Sequence, residues 1–209
     1  MQSPALRDKD EVKGELGIHS GKFVLVTAGG GGDGYNLMKN YLKSLKLQSQ
    51  AVNGDPERAV HSVLILGPEM PSYKKERLLA RTTAAPGMVK FIDFSTEILN
   101  YMNAADLVVS MGGYNSICEI LSLEKRAIII PRVRPVTEQM IRAQRMHDLG
   151  LIDVIHPEKL TPGLLSKRVL QLLFEAGETH DKAWKVLDTE GLPRISRFMA
   201  QEVRSRTAS

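Results

Sequence analysis

The stretch Gly29-Gly30-Gly31-Gly32-Asp33-Gly34 is the part of the chain best suited to hold an anion. Glycine lets backbone N–H groups approach a ligand closely and adopt positive φ. A helix that begins here adds unpaired donors and a favourable dipole, the combination that binds phosphate. Gly29, Gly31 and Gly34 also satisfy G-x-G-x-x-G. A dinucleotide site needs in addition an acidic residue at the end of the second strand, about 20 residues on. Asp55 has the offset but precedes that strand, and Glu69 has the place but comes late. No Gly-Lys-Ser/Thr follows, so the turn is not a Walker A loop.

Two further loops carry polar groups in useful patterns. In Ser110-Met111-Gly112-Gly113-Tyr114-Asn115-Ser116-Ile117-Cys118-Glu119, the glycines open a second helix. Asn115 and Glu119 are four apart and share a helix face. The Glu119 carboxylate could accept hydrogen bonds from a ribose diol or simply be solvated. Cys118 reads as a small buried core residue. In Pro131-Arg132-Val133-Arg134-Pro135-Val136-Thr137-Glu138-Gln139, Thr137 is placed to cap the next helix, with Glu138 and Gln139 in its first turn. These could meet sugar hydroxyls or merely complement the helix dipole. Arg132 and Arg134 are open to a phosphate or to solvent, and an acidic Asp33 beside phosphates is unfavourable unless it points away or caps a helix.

These loops need strands before them and helices after them, and the pattern supplies both. Apolar runs at Phe23–Thr27, Ser62–Leu66, Met88–Ile92, Asp106–Ser110 and Ala127–Ile130 read as strands, with a sixth at Ile152–Ile155. Helical stretches follow after the glycine turn (with Leu37, Tyr41, Leu42 and Leu45 in register), at Tyr73–Thr82, Glu97–Asn103, Tyr114–Ser122, Glu138–Leu149 and Leu164–Ala176. Val12–Ile18 could form a short helix and Arg194–Arg204 a last one, while Gln48–Ala59 reads as a surface loop. Strands apolar throughout and alternating with helices imply an α/β fold, a doubly wound parallel six-stranded sheet that is Rossmann-like. The expected division is a polar lead-in or interdomain linker at 1–20, a Rossmann-like domain at 21–176 and a C-terminal helical extension at 177–209.

The composition of 209 residues narrows the partners. A formal charge of +4 suits a phosphate-bearing ligand but is too small and dispersed for nucleic acid, and 5% aromatic residues provide no base-stacking platform. The N-terminus lacks the apolar stretch of a signal peptide and no run suits a membrane span. A single cysteine fits a reducing cytoplasm. The five histidines show no metal-ligand spacing, so no metal or cofactor is expected.

Four pieces in order then resemble a known family. They are the glycine turn, Phe91-Ile92-Asp93, Gly112-Gly113-x-Asn115-Ser116-x-x-Glu119, and Pro131 followed by Thr137-Glu138-Gln139. From Lys22 to about Ala176 the chain resembles the C-terminal, donor-binding domain of glycosyltransferases of the two-domain GT-B architecture. It is most similar to family 28, which contains the bacterial UDP-N-acetylglucosamine transferase that forms lipid II. The resemblance implies that Gly30, Gly31, Gly32, Gly34, Gly113, Asn115 and Ser116 flank a diphosphate. It implies that backbone groups of Phe91 and Ile92 hold uracil and Glu119 the ribose. It places Thr137, Glu138 and Gln139 at the sugar.

In an inverting transfer the diphosphate leaves with growing negative charge, which helix N-termini stabilise without a metal. The family's acceptor-binding N-terminal domain, which supplies the presumed base, has no counterpart in the sequence. No catalytic residue is therefore expected in this chain, and a separate domain or subunit is expected to complete it. Half of a UDP-sugar epimerase and an NAD-dependent oxidoreductase domain stay open as alternatives. Around Arg194, Arg197, Arg204 and Arg206 the C-terminal helix is open to docking on the missing domain, to a peripheral membrane contact or to solvent. The expected location is cytoplasmic, including the membrane surface.

Overall fold

The computed structural model describes residues 6–81, 89–135 and 137–175. The expected helix at Arg194–Arg204 and the extension at 177–209 lie outside these residues. Six parallel strands form one sheet: β1 (Lys22–Thr27), β2 (Val60–Ile65), β3 (Val89–Ile92), β4 (Leu107–Ser110), β5 (Ala127–Ile129) and β6 (Asp153–Val154). Their order is β3-β2-β1-β4-β5-β6. The chain thus moves outward in one direction from β1, returns, and moves outward in the other from β4. Where these halves meet, loops after β1 and β4 diverge and leave a crevice at the carboxyl edge. The register sets Thr27 against both Ile65 and Ser110, so those strands end level with one another.

The helices are α1 (Lys9–Glu15), α2 (Tyr35–Val52), α3 (Ser72–Leu79), α4 (Ile98–Ala104), α5 (Tyr114–Ser122), α6 (Glu138–Asp148) and α7 (Pro162–Phe174). They cover both faces, because strands apolar on each side must be buried on each side. Val24, Val26 and Val109 pack against Leu37, Tyr41 and Val169 of α2 and α7. Phe23, Leu25 and Val108 face the other way, with Val12, Met102, Ile117 and Ile120 of α1, α4 and α5. Local chemistry starts several helices: the Asp8 side chain accepts N–H bonds from Asp10 and Glu11, and Thr161 accepts one from Leu164 ahead of Pro162.

Two local expectations change. The segment Gln48–Ala59 is not a loop throughout, since α2 runs to Val52 and a short 3-10 turn covers Pro56–Arg58. Gln48 is buried and its amide donates to Ser44 Oγ at 2.9 Å, so a polar sequence here continues the helix. Cys118 is exposed. Ile117 and Ile120 face the core, and Cys118 is turned about 100° from Ile117 on the helix. Within the first 20 residues, Val12, Leu16 and Ile18 are buried against the sheet. Asp106 fastens them, accepting from Phe23 N–H at 2.8 Å and Lys13 Nζ at 3.2 Å.

Candidate functional site

The glycine turn leaves β1 by two tight steps. Gly31 N–H donates to Ala28 O and Gly34 N–H to Gly31 O, each at 3.2 Å. Gly31 has φ +95°, and a β-carbon there would lie 2.4 Å from Leu66 O. Gly34 has an ordinary helical φ, but a β-carbon would lie 2.1 Å from that of Ala28. The first glycine is required by conformation and contact, the second by contact alone. Both are buried, while Gly29, Gly30 and Gly32 are exposed. The N–H groups of Gly30, Gly32 and Asp33 have no acceptor among the described residues.

The loop after β4 builds a similar edge. Ser110 Oγ accepts from Gly112 N–H at 3.2 Å, and Gly113 O accepts from Ile117 N–H at 3.0 Å. The first-turn N–H groups of α5, including Asn115 and Ser116, are left without acceptors in the usual way. Between the two loops lies a cleft of about 170 Å³. Gly30, Gly31, Gly32, Gly113, Ser116 and Gln139 line it. Six expected site residues from three separate loop–helix junctions therefore converge.

The others take different positions. Gly34 sits beneath the turn as packing, at the start of α2. Asn115 is exposed, one residue before Ser116. Phe91 and Ile92 end β3 at the sheet edge. Ile92 O accepts from Leu66 N–H at 3.0 Å. Strand alternation turns the Phe91 N–H and C=O outward, where β3 has no strand partner among the described residues. Glu119 lies in the second turn of α5, outside the cleft, and partial burial raises its carboxyl above the usual range. Its carboxylate has no hydrogen-bond partner among the described residues.

Thr137 occupies the cap position of α6, but its side chain makes no capping hydrogen bond, contrary to expectation. Glu138 instead pairs with Arg142 one turn on. Gln139 Oε1 accepts from Arg132 N–H at 3.0 Å, which fixes the loop after β5 against α6.

Four cleft residues had no settled role in the sequence: Glu69, Ser110, Met111 and Arg132. Glu69 was visible only as a late acidic residue after β2. Its N–H donates to Gly30 O at 2.7 Å, and a β-carbon on Gly30 would lie 3.0 Å from its Oε2. The carboxylate therefore lies against the glycine turn. Asp33 neither caps α2 nor stands alone. Its Oδ2 accepts from Arg132 Nη1 at 3.0 Å, across 99 positions of sequence.

Residues 23–193 match the family model of the glycosyltransferase family 28 C-terminal domain. The chain belongs to this family. The family 28 match spans all six strands and the three loops of the cleft. Among curated relatives, a Clostridium kluyveri UDP-N-acetylglucosamine--N-acetylmuramyl-(pentapeptide) pyrophosphoryl-undecaprenol N-acetylglucosamine transferase is 30% identical over 128 residues, 60% of this chain and 36% of that protein. An uncharacterized glycosyltransferase of Methanopyrus kandleri is 24% identical over 93% of this chain and 50% of its own length. The chain thus spans half or less of these two relatives. Among solved structures, Acinetobacter baumannii MurG superposes with a TM-score of 0.66 at 18% identity, over 86% of this chain and 52% of that one. A putative UDP-N-acetylglucosamine 2-epimerase from Listeria monocytogenes gives 0.64 at 14% identity, over 100% and 50%. The fold is that of the C-terminal half of GT-B enzymes.

Proposed function

We propose that this chain is the donor-binding half of a glycosyltransferase that transfers a sugar, N-acetylglucosamine, from its UDP conjugate. The observation that carries the proposal is the cleft at the switch point. There the glycine turn, the start of α5 and Gln139 surround one space. Unpaired N–H groups of Gly30, Gly32 and Asp33 and the first turn of α5 supply donors for a diphosphate. These donors are fixed in place before the leaving group gathers charge, so they favour the transition state without a metal ion. Gln139 reaches the same cleft from α6, and Thr137 and Glu138 precede it as further sugar contacts. Phe91 offers a donor and an acceptor at a sheet edge that has no strand partner among the described residues, a pair suited to a pyrimidine. Glu119 takes the ribose hydroxyls.

Acceptor binding and the base that deprotonates it are assigned to a separate N-terminal domain or subunit. The same arrangement is compatible with work at a membrane surface. No helix among the described residues is long and apolar enough to cross a membrane.

The epimerase reading draws on the likeness to the Listeria structure, which concerns the fold alone. Epimerases of this type tend to carry a second carboxylate beside the ribose-binding one, whereas Cys118 and Ile120 flank Glu119. The oxidoreductase reading would assign Glu69 to a ribose, yet Glu69 lies against the turn that would hold phosphates. Isothermal titration separates the three. The transferase reading predicts binding of UDP and UDP-N-acetylglucosamine with no NADH binding. No heat with either uridine nucleotide at millimolar concentration would contradict it. Binding with epimerisation of the sugar would replace it with the second reading.

A further inference from the structure

The cleft has a charge balance that a diphosphate does not satisfy by itself. Asp33 and Glu69 bring two carboxylates to the glycine turn, and among the described residues that line it Arg132 is the one basic side chain. A di- or trianion placed there meets two negative charges unless a cation faces it. Arg132 already lies at the mouth, but its Nη1 is engaged by Asp33 Oδ2 at 3.0 Å. Both side chains are about half exposed, 45% for Arg132 and 59% for Asp33. An exposed pair of this kind is weak and gives up its partner at little cost. A guanidinium bonded to phosphate in a narrower, partly desolvated cleft makes stronger charge-assisted bonds and can use two N–H groups at once.

The backbone of Arg132 does not need to move for such an exchange. Pro131 before it is buried, and the Arg132 N–H donates to Gln139 Oε1 at 3.0 Å. Only the side chain must turn. Asp33, at the rim of the turn, can swing its carboxylate into water as the arginine leaves.

We propose that Asp33 and Arg132 form an exchange pair. Asp33 holds the guanidinium, and an entering nucleoside diphosphate takes it over. Arg132 is then the side chain that neutralises the leaving diphosphate, and Asp33 lowers affinity by competing with the ligand for it. Because Asp33 reclaims the guanidinium afterwards, the pair also promotes release of the spent nucleotide. The inference rests on the donor-binding reading above.

Titration of the full 209-residue chain with UDP and with uridine tests it, since uridine lacks the phosphates. Arg132→Gln is expected to weaken UDP about tenfold or more, to flatten the salt dependence of UDP binding and to leave uridine unchanged. Asp33→Asn is expected to tighten UDP about threefold, again without effect on uridine. In Arg132→Gln/Asp33→Asn the gain from Asp33→Asn should shrink, because no arginine is left to release. Unchanged UDP affinity in Arg132→Gln overturns the exchange while leaving the donor site intact. Equal losses for UDP and uridine reduce Arg132 to a structural support, and weaker UDP binding in Asp33→Asn also overturns the proposal. If the unaltered chain binds uridine but not UDP, the diphosphate site fails and the exchange with it. If it binds neither, the donor reading itself is wrong.

Discussion

Glu119 separates a binding role from a structural one by its titration. Partial burial raises its carboxyl, so the folded chain holds that proton more tightly than the unfolded chain does. Stability from this group is present below the ordinary carboxylate range and is lost as pH rises through the raised value. Glu119→Gln is therefore expected to leave stability at pH 7 unchanged or slightly increased in a denaturant melt. Binding has the opposite sign. A carboxylate that accepts from ribose hydroxyls must be charged, so uridine affinity should fall as pH drops through the raised value. The same titration of Glu119→Gln should be flat. Glu119→Ala should cost about 1–3 kcal/mol of UDP binding at neutral pH, the scale of a charged hydrogen bond. A stability loss without a binding loss would make Glu119 an ordinary helix residue. The type and spacing of Glu119 were legible in the sequence. The partner of Asp33 was not, because Arg132 is distant along the chain and no local pattern links them. Cys118 misled for a related reason: a small apolar residue between two core isoleucines reads as core until the helix phase is known.

The turn between β1 and α2 is where element geometry is most constrained. Gly34→Ala places a methyl group 2.1 Å from the β-carbon of Ala28 and is expected to destabilise the fold by about 1–3 kcal/mol in urea denaturation. Gly29→Ala meets no atom within 4 Å, though its φ of +61° is strained for alanine. The cost at Gly29 should therefore be smaller, about 1 kcal/mol. Equal costs at both positions would contradict the packing account of Gly34. Most elements were legible because continuous apolar runs mark strands buried on both faces, and 3.6-residue spacing marks the helices between. Tyr114–Ser122 appears as expected to the residue. The end of α2 was hidden because Gln48 is polar yet buried, held by a bond to Ser44 that composition does not reveal.

At the scale of the molecule, strand order converts scattered loops into a site. Alternating strands and helices implied a parallel sheet, but they did not state that β1 and β4 would be neighbours. That adjacency brings Gly30–Gly32 beside Gly113 and Ser116 across about 80 positions of sequence. The nucleoside contacts were assigned by resemblance and lie on other elements, with Phe91 at the sheet edge and Glu119 farther along α5. Since acceptor and base are assigned to another domain or subunit, the isolated chain should bind the donor without turning it over. UDP release from UDP-N-acetylglucosamine, followed by a coupled assay, should stay at background and rise only when an acceptor-binding partner is added. Transfer by the chain alone would place a base within it.

Amide chemical shifts report directly on whether the glycine turn grips a diphosphate. In a titration of the 15N-labelled chain, UDP should move the resonances of Gly30, Gly32, Asp33 and Ser116, whereas uridine should move those near Phe91 and Glu119 and leave the turn in place. Saturable UDP binding that leaves Gly30, Gly32 and Asp33 unshifted would contradict the assignment of the turn.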